Sequence, residues 1–441
     1  MRGLPAVLLL GLGLSVSGRV CAEDVPVTVA EALAVAERAN PELQSAASRV
    51  EAQVARAEAV RRLYWPKLGL AVNWSRTDLP AGVFANKLNS GEFTMADFDV
   101  ARINDPGALS HLGSNLSLEL PIDVFGKIRT MAGALSAYGD AASAGRRDAV
   151  QEIRLRVIET YRNAEMAGRA VEVTARVLEV AKAREAEIQA RVDAGGALHA
   201  DLLRARARRR EREADLAERR GQQAVARAAL GRLLGAASGV SYLPTEGPAP
   251  VGPLPGEEAQ WIERALRQRP ALEAARRKTD AAASMARSEK NALLPDLGVM
   301  GQLWDDRIDV SNGSQAWAVG VGLKWTPFDA GRGKREAAAV AEQRAAELDA
   351  RAAADQVRLE VQMAYRRAVA ARERYAAAAG GAEEGREALR VVQERRQAGM
   401  ATLTDELETE TAALGAALSE MAAASAAAVA DAALERAAGE I

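Results

Sequence analysis

Little in this sequence is equipped for covalent or metal chemistry. His111 and His199 are the only imidazoles, too few and too far apart for a histidine-rich metal site. The single cysteine is Cys21. Gly331-Arg332-Gly333-Lys334 is glycine-rich but lacks the spacing and the Ser or Thr of a P-loop, so a strand-to-helix hinge is the simpler reading. Glu383, Glu384, Glu387 and Glu394 lie near a chain reversal and read first as a solvated helix face. Other carboxylates are scattered along helical stretches, and no pair stands out as an acid–base couple. No catalytic residue, cofactor site or metal site is expected, and so no enzyme.

What remains is architecture. Of 441 residues only 4% are aromatic, while Ala, Glu, Arg and Leu dominate, the composition of long helices or coiled coils. The 58 basic and 60 acidic side chains nearly cancel, which gives no bias toward polyanions. The basic stretch at 204–212 is followed by Glu and Asp and reads as a solvated face, so no nucleic-acid partner is expected. Residues 1–22 read as a signal peptide: Arg2, an apolar run over 6–16, and small residues Val20 and Ala22 before the cut. Cleavage there leaves Glu23 first and removes Cys21, which excludes disulfides. Lipidation of Cys21 is the minor alternative, because Gly18 and Val20 are poor context for it. No later stretch holds the roughly 18 consecutive apolar residues of a spanning helix. An exported protein of that kind is periplasmic, secreted, or a β-barrel of the outer membrane.

The chain is written twice. Asn40-Pro41-Glu42-Leu43 recurs as Arg269-Pro270-Ala271-Leu272, and Tyr64-Trp65-Pro66-Lys67-Leu68 as Leu293-Leu294-Pro295-Asp296-Leu297, both at an offset of 229. Pro121-Ile122-Asp123 matches Pro327-Phe328-Asp329. Beyond it, Tyr161 matches Tyr365, Ala194-Gly195 matches Ala398-Gly399, Asp201 matches Asp405 and Gly235 matches Gly439, all at an offset of 204. The first repeat covers 23–240, with helices at 29–64 (broken near Asn40-Pro41), 127–193 and 197–235 and strands near 67–77 and 113–121. A proline-rich linker occupies 241–256. The second repeat covers 257–441, with helices at 257–293, 332–397 and 402–438 and strands near 296–305 and 315–326. Residues 77–112 read as loop, on Pro80, Gly82, Asn89, Gly91, Pro106 and Gly107.

The helix at 127–193 carries an apolar stripe through Ile153, Val157, Tyr161, Ala164 and Leu178 at a spacing near 3.5, as in a supercoiled seam. At about 1.5 Å per residue it spans roughly 100 Å. In the strands, Leu68, Leu70, Val72 and Trp74 alternate with Gly69, Ala71, Asn73 and Ser75. Trp317, Val319, Val321, Leu323 and Trp325 alternate with Ala318, Gly320, Gly322 and Lys324. One face is apolar with Trp74, Trp304, Trp317 and Trp325 as candidate membrane-interface aromatics, and the other suits a wet lumen. Four strands cannot close a transmembrane barrel; three copies supply twelve. The plain alternative is a soluble hairpin packed on helices.

This order of elements resembles the TolC-like outer-membrane efflux family over 28–439. The resemblance is carried by Asn-Pro-Glu-Leu at 40–43, Tyr-Trp-Pro-Lys-Leu at 64–68, Pro-Ile-Asp-Val-Phe-Gly at 121–126 and Ala-Gly-Met-Ala-Thr-Leu-Thr-Asp at 398–405. It implies a mainly α fold with a small β part, a homotrimer whose twelve-stranded β-barrel sits in outer-membrane lipid, and an α-helical barrel crossing the periplasm. It implies an exit duct for a tripartite efflux pump, with a periplasmic adaptor and an inner-membrane efflux pump or ABC exporter as partners. Adaptor docking is then expected at tips built from Gly195, Gly196, Asp201, Gly399, Met400, Thr402, Thr404 and Asp405. The first tip departs from the pattern, with Leu198-His199-Ala200 where the second has Thr402-Leu403-Thr404. Family channels carry acidic rings at the periplasmic aperture, which is the second reading of Glu383, Glu384, Glu387 and Glu394. Alternatives are a type I protein secretion duct of the same fold, a periplasmic coiled-coil adaptor or scaffold, and a secreted structural protein.

Overall fold

A computed structural model describes residues 23–236, 240–248, 250–309 and 313–441. The signal-peptide reading of 1–22, with Cys21, lies outside them. The elements begin with β1 (Glu23–Val27), α1 (Val29–Ala39), α2 (Pro41–Arg61), β2 (Lys67–Thr77), α3 (Pro80–Asn89), α4 (Val100–Asn104) and β3 (Leu109–Ile122). They continue with α5 (Lys127–Asp193), α6 (His199–Leu233), β4 (Val240–Pro244), α7 (Glu258–Gln268) and α8 (Pro270–Asn291). Last come β5 (Asp296–Arg307), β6 (Gly313–Lys324), α9 (Arg332–Gln397) and α10 (Leu403–Ala438).

The described residues divide into two compact units that cut across the sequence repeats: those within 45–148 and 266–359 form one, and those within 23–44, 149–265 and 360–441 the other. The unit built from 45–148 and 266–359 carries a four-stranded sheet, antiparallel throughout, in the order β2-β3-β5-β6. Its helices bury mostly alanine, including Ala132, Ala134, Ala141, Ala281 and Ala282, so their backbones can approach closely. Asp123 fastens strand to helix: its carboxylate accepts from the amides of Ile128 (3.2 Å) and Arg129 (3.0 Å) and from the Tyr64 hydroxyl (2.8 Å). That explains the Pro-Ile-Asp punctuation before α5. In the second repeat Asp329 accepts from the Gly331 amide (2.9 Å) and pairs with Arg335 (2.5 Å), so the glycine-rich stretch is a strand-to-helix joint.

In the other unit, Val27, Leu43, Ile153, Val157, Tyr161, Leu230 and Leu234 form the centre of an apolar core. Asn40 is buried at the break between α1 and α2; its Oδ1 caps the amides of Glu42 (2.8 Å) and Leu43, and its Nδ2 donates to Leu233 O (2.8 Å). Ion pairs give the order of the long helices in this unit as α6-α5-α10-α9: Arg209–Glu185, Arg184–Glu408 and Arg372–Asp431, each at 2.6 Å.

Three readings from sequence need correction. The segment 77–112 is not plain loop. It holds α3, a 3-10 turn at Met95–Phe98 and α4, because Pro80 fits the first helical turn and Gly91 closes α3 in the left-handed region (φ 72°). β3 starts at Leu109, four residues earlier than expected, since β2 continues to pair with it as far as Thr77. β1 and β4, a parallel pair, went unseen, and β4 runs into the start of the proline-rich linker. The reading that no stretch holds about 18 consecutive apolar residues is not among these corrections: α10 passes as a candidate span by length and composition only, with Thr, Ser, Asp and Glu interrupting it. Its apolarity is mostly alanine, and Asp431 within it pairs with Arg372 in this unit.

Candidate functional site

Register decides which side chains share a face of the sheet, because directly paired residues lie on the same side. Pairings Leu68↔Leu118, Leu70↔Leu116 and Trp74↔Leu112 extend through Leu118↔Gly301 and Leu116↔Leu303 to Gly301↔Val319 and Leu303↔Trp317. One face is therefore apolar across all four strands. On the edge strand β6 its Trp317, Val319, Val321 and Leu323 are each more than 60% exposed. At the end of the sheet farthest from α5 this face turns polar, where Arg307 pairs with Asp305 (2.8 Å). The opposite face carries Gly69, Ala71, Asn73, Ser75, Asn115, Ser117, Gln302, Ala318 and Gly320. On it His111 Nε2 lies 3.0 Å from Asp306 Oδ1.

Trp74 and Trp317 belong to the apolar face, and Trp325 follows β6 with its indole N–H donating to Leu293 O (3.0 Å). Trp304 does not join them. It pairs with Asn115 and Ala316, on the polar face, because its strand parity is set by β3 rather than by its own aromaticity.

At the tips, α5 and α9 end identically. Gly195 (φ 75°) and Gly399 (φ 74°) are left-handed, and the next amide reaches back five residues: Gly196 N to Arg191 O (2.7 Å) and Met400 N to Arg395 O (2.8 Å). A Cβ at either glycine would meet nothing within 4 Å, so backbone conformation, not crowding, requires the glycine. The restarts differ. Thr402 Oγ1 accepts from the Asp405 amide (3.1 Å), while the Asp405 carboxylate accepts from the Thr402 amide (2.9 Å) and hydroxyl (2.7 Å), a complete capping box. Those bonds hold the Asp405 pKa below the ordinary carboxylate value. At the first tip Leu198 stands at the cap position and supplies no side-chain bond. Asp201, in register with Asp405, pairs with Arg204 (3.1 Å). Leu198 and Met400 are both exposed; Thr404 is half-buried.

Of the four acids, Glu387 and Glu394 both pair with Arg390 at 2.6 Å, and Arg390 holds the Glu387 pKa down. Glu383 and Glu384 are exposed. Among the described residues no group of three or more His, Cys, Asp or Glu is placed to hold a metal ion.

An antiparallel sheet with one apolar and one polar face, in a chain that also holds helices of 67 and 66 residues, has the parts of a membrane channel protein. The family described as outer membrane efflux protein matches residues 32–236 and 261–440. Solved structures share the fold: the Campylobacter jejuni CmeC outer membrane channel (TM-score 0.76, 17% identity, 99% of this chain and 94% of that one) and a membrane protein from Pseudomonas aeruginosa (0.74, 21%, 93% of each). The open state of the Neisseria gonorrhoeae MtrE outer membrane channel is a third (0.71, 20%, 93% of this chain and 88% of that one). No curated protein matches the chain. The chain belongs to the outer membrane efflux protein family. It is an outer-membrane exit channel for efflux.

Proposed function

We propose that three copies close edge to edge, β6 of one beside β2 of the next, into a twelve-stranded barrel with the apolar face toward lipid and the polar face lining the lumen. The observation that carries this is the continuous apolar face on a sheet whose two edge strands find no partner among the described residues. Such edges are not tolerated in lipid. The height agrees: on β3 the apolar face runs from Leu112 to Ile122, about 34 Å of strand at ~3.4 Å per residue. Tilted by about 40°, that spans roughly 26 Å, close to the apolar band of outer-membrane barrels. Trp74 and Trp317 sit on the lipid side in this reading. Export by a leader cut after Ala22 belongs to it, as does adaptor docking at the Gly195 and Gly399 tips and an inner-membrane pump or ABC exporter beyond. Glu387 and Glu394, which share the single positive charge of Arg390, are better suited to a solvated face than to an aperture ring.

The test is a pair of substitutions on adjacent residues. Val319→Arg with Val321→Arg puts charges toward lipid at roughly 2–4 kcal/mol each near the midplane, and the protein should vanish from the outer-membrane fraction. Gly320→Arg, with open space around its Cβ, should insert normally and change single-channel conductance. Equal loss of insertion from both would sink the assignment of faces.

A further inference from the structure

The segment between β2 and β3 is folded and braced, and it lies on the polar face of the sheet. Phe84, Phe93 and Phe98 meet edge to face, with centroids 4.7 and 5.1 Å apart. Lys87 Nζ donates to Asp97 Oδ1 (2.7 Å), and Asp97 Oδ2 accepts from the Thr94 amide and hydroxyl at 2.8 Å each. Lys87, then Thr94, hold the Asp97 pKa far below the carboxylate range, so the clamp persists at any physiological pH.

Its position follows from three contacts. A Cβ on Gly82 would sit 3.2 Å from Thr77 Cγ2; Leu109 lines one cavity with Phe84 and Phe93; a Cβ on Gly91 would sit 3.5 Å from Ser314 Cβ. By register Thr77, Leu109 and Ser314 all belong to the polar face. Ser314 is distant in sequence and lies on the opposite edge strand, so the segment reaches across that face from β2 to β6. Large apolar side chains are nevertheless left uncovered on it: Met95 (85% exposed), Leu79 and Val100 (68% each). A braced segment has no need of them for its own core.

Resting on the reading of the polar face as lumen, we propose that this segment is an apolar collar inside the outer mouth of the duct. It narrows the exit and offers transient apolar contact to departing cargo, which fits amphiphilic and lipophilic solutes better than small hydrated ions. Met95 and Val100 are its specificity-determining side chains.

The experiment uses the full-length protein in planar bilayers. Met95→Asp with Val100→Asp should raise cation over anion permeability about threefold or more, read from the reversal potential. Met95→Ser with Val100→Ser should weaken block by tetraphenylphosphonium added from the outer side about tenfold. Both positions are exposed, so the chain should fold in either variant. Either variant behaving as wild type overturns the collar, and so does loss of trimers in the Ser variant, which would assign the patch to packing between copies. A wild type that does not conduct would instead overturn the channel reading itself, and the two failures are thus distinguishable.

Discussion

Tyr161 and Tyr365 occupy the same position in the two repeats and perform different work. Tyr161 is fully buried: its hydroxyl donates to Val27 O (2.9 Å) and accepts from the amides of Thr245 (3.1 Å) and Glu246 (3.0 Å). It thereby ties α5 to the β1–β4 pair, which has no counterpart among the described residues of the second repeat. Tyr365 is half-exposed, and its hydroxyl donates to Gly256 O at 3.5 Å. Duplication preserved the residue, while the surrounding chain decided its use. Tyr161→Phe removes the buried hydroxyl and with it the bond to the Glu246 amide at the edge of the core, and should cost about 1 kcal/mol. Tyr365→Phe should stay within about 0.5 kcal/mol. Melting temperatures of the detergent-solubilised protein read the difference, and equal shifts would break the comparison.

The tips sharpen it. Both helices stop by the same glycine device, but only the second restarts with a capping box. The first repeat already has the acid in place, because Asp201 stands three residues after Leu198 as Asp405 stands three after Thr402. Leu198→Thr should therefore complete the missing box and gain about 1 kcal/mol for the first turn of α6. Thr402→Ala should lose about as much from the first turn of α10. Amide hydrogen exchange over 198–202 and 402–406 measures each locally. No protection gained by Leu198→Thr would mean that Arg204 holds Asp201 too firmly for the box to form.

Much of this was open to reading from sequence, for physical reasons. α5 announces itself because an apolar spacing near 3.5 runs through Ile153, Val157, Tyr161, Ala164 and Leu178, and α9 because it repeats the landmarks Tyr161 and Gly195 as Tyr365 and Gly399. The strand alternation at 68–74 and 317–323 is visible because one face is apolar and the other small and polar. What sequence hid depends on partners far along the chain. β1 and β4 are five residues each and pair only with one another, across more than two hundred residues. The face of Trp304 is set by Asn115 on another strand. The collar was hidden for the opposite reason: Pro80 and Gly91 look like breakers, yet one begins a helix and the other ends it. Its placement rests on Ser314, which no local pattern indicates.

The smallest expected effect distinguishes the tips by pH. Asp405 is stabilised as a carboxylate first by the Thr402 amide and then by its hydroxyl, so its pKa in the folded chain lies below the ordinary 3.8. A depressed folded pKa contributes stability that is complete above the unfolded value and is lost as pH falls through the folded one. Protection of amides at 402–406, corrected for intrinsic exchange, should hence decline on acidification below the ordinary Asp range. The first tip lacks the box and should show no matching decline from this cause. Because the site is fully exposed, solvent screening keeps the change small. Two variants make it specific to the box rather than to acid in general. Thr402→Ala should remove the pH dependence at the second tip, and Leu198→Thr should confer it on the first. A decline that survives Thr402→Ala would show that another group governs the second tip in acid.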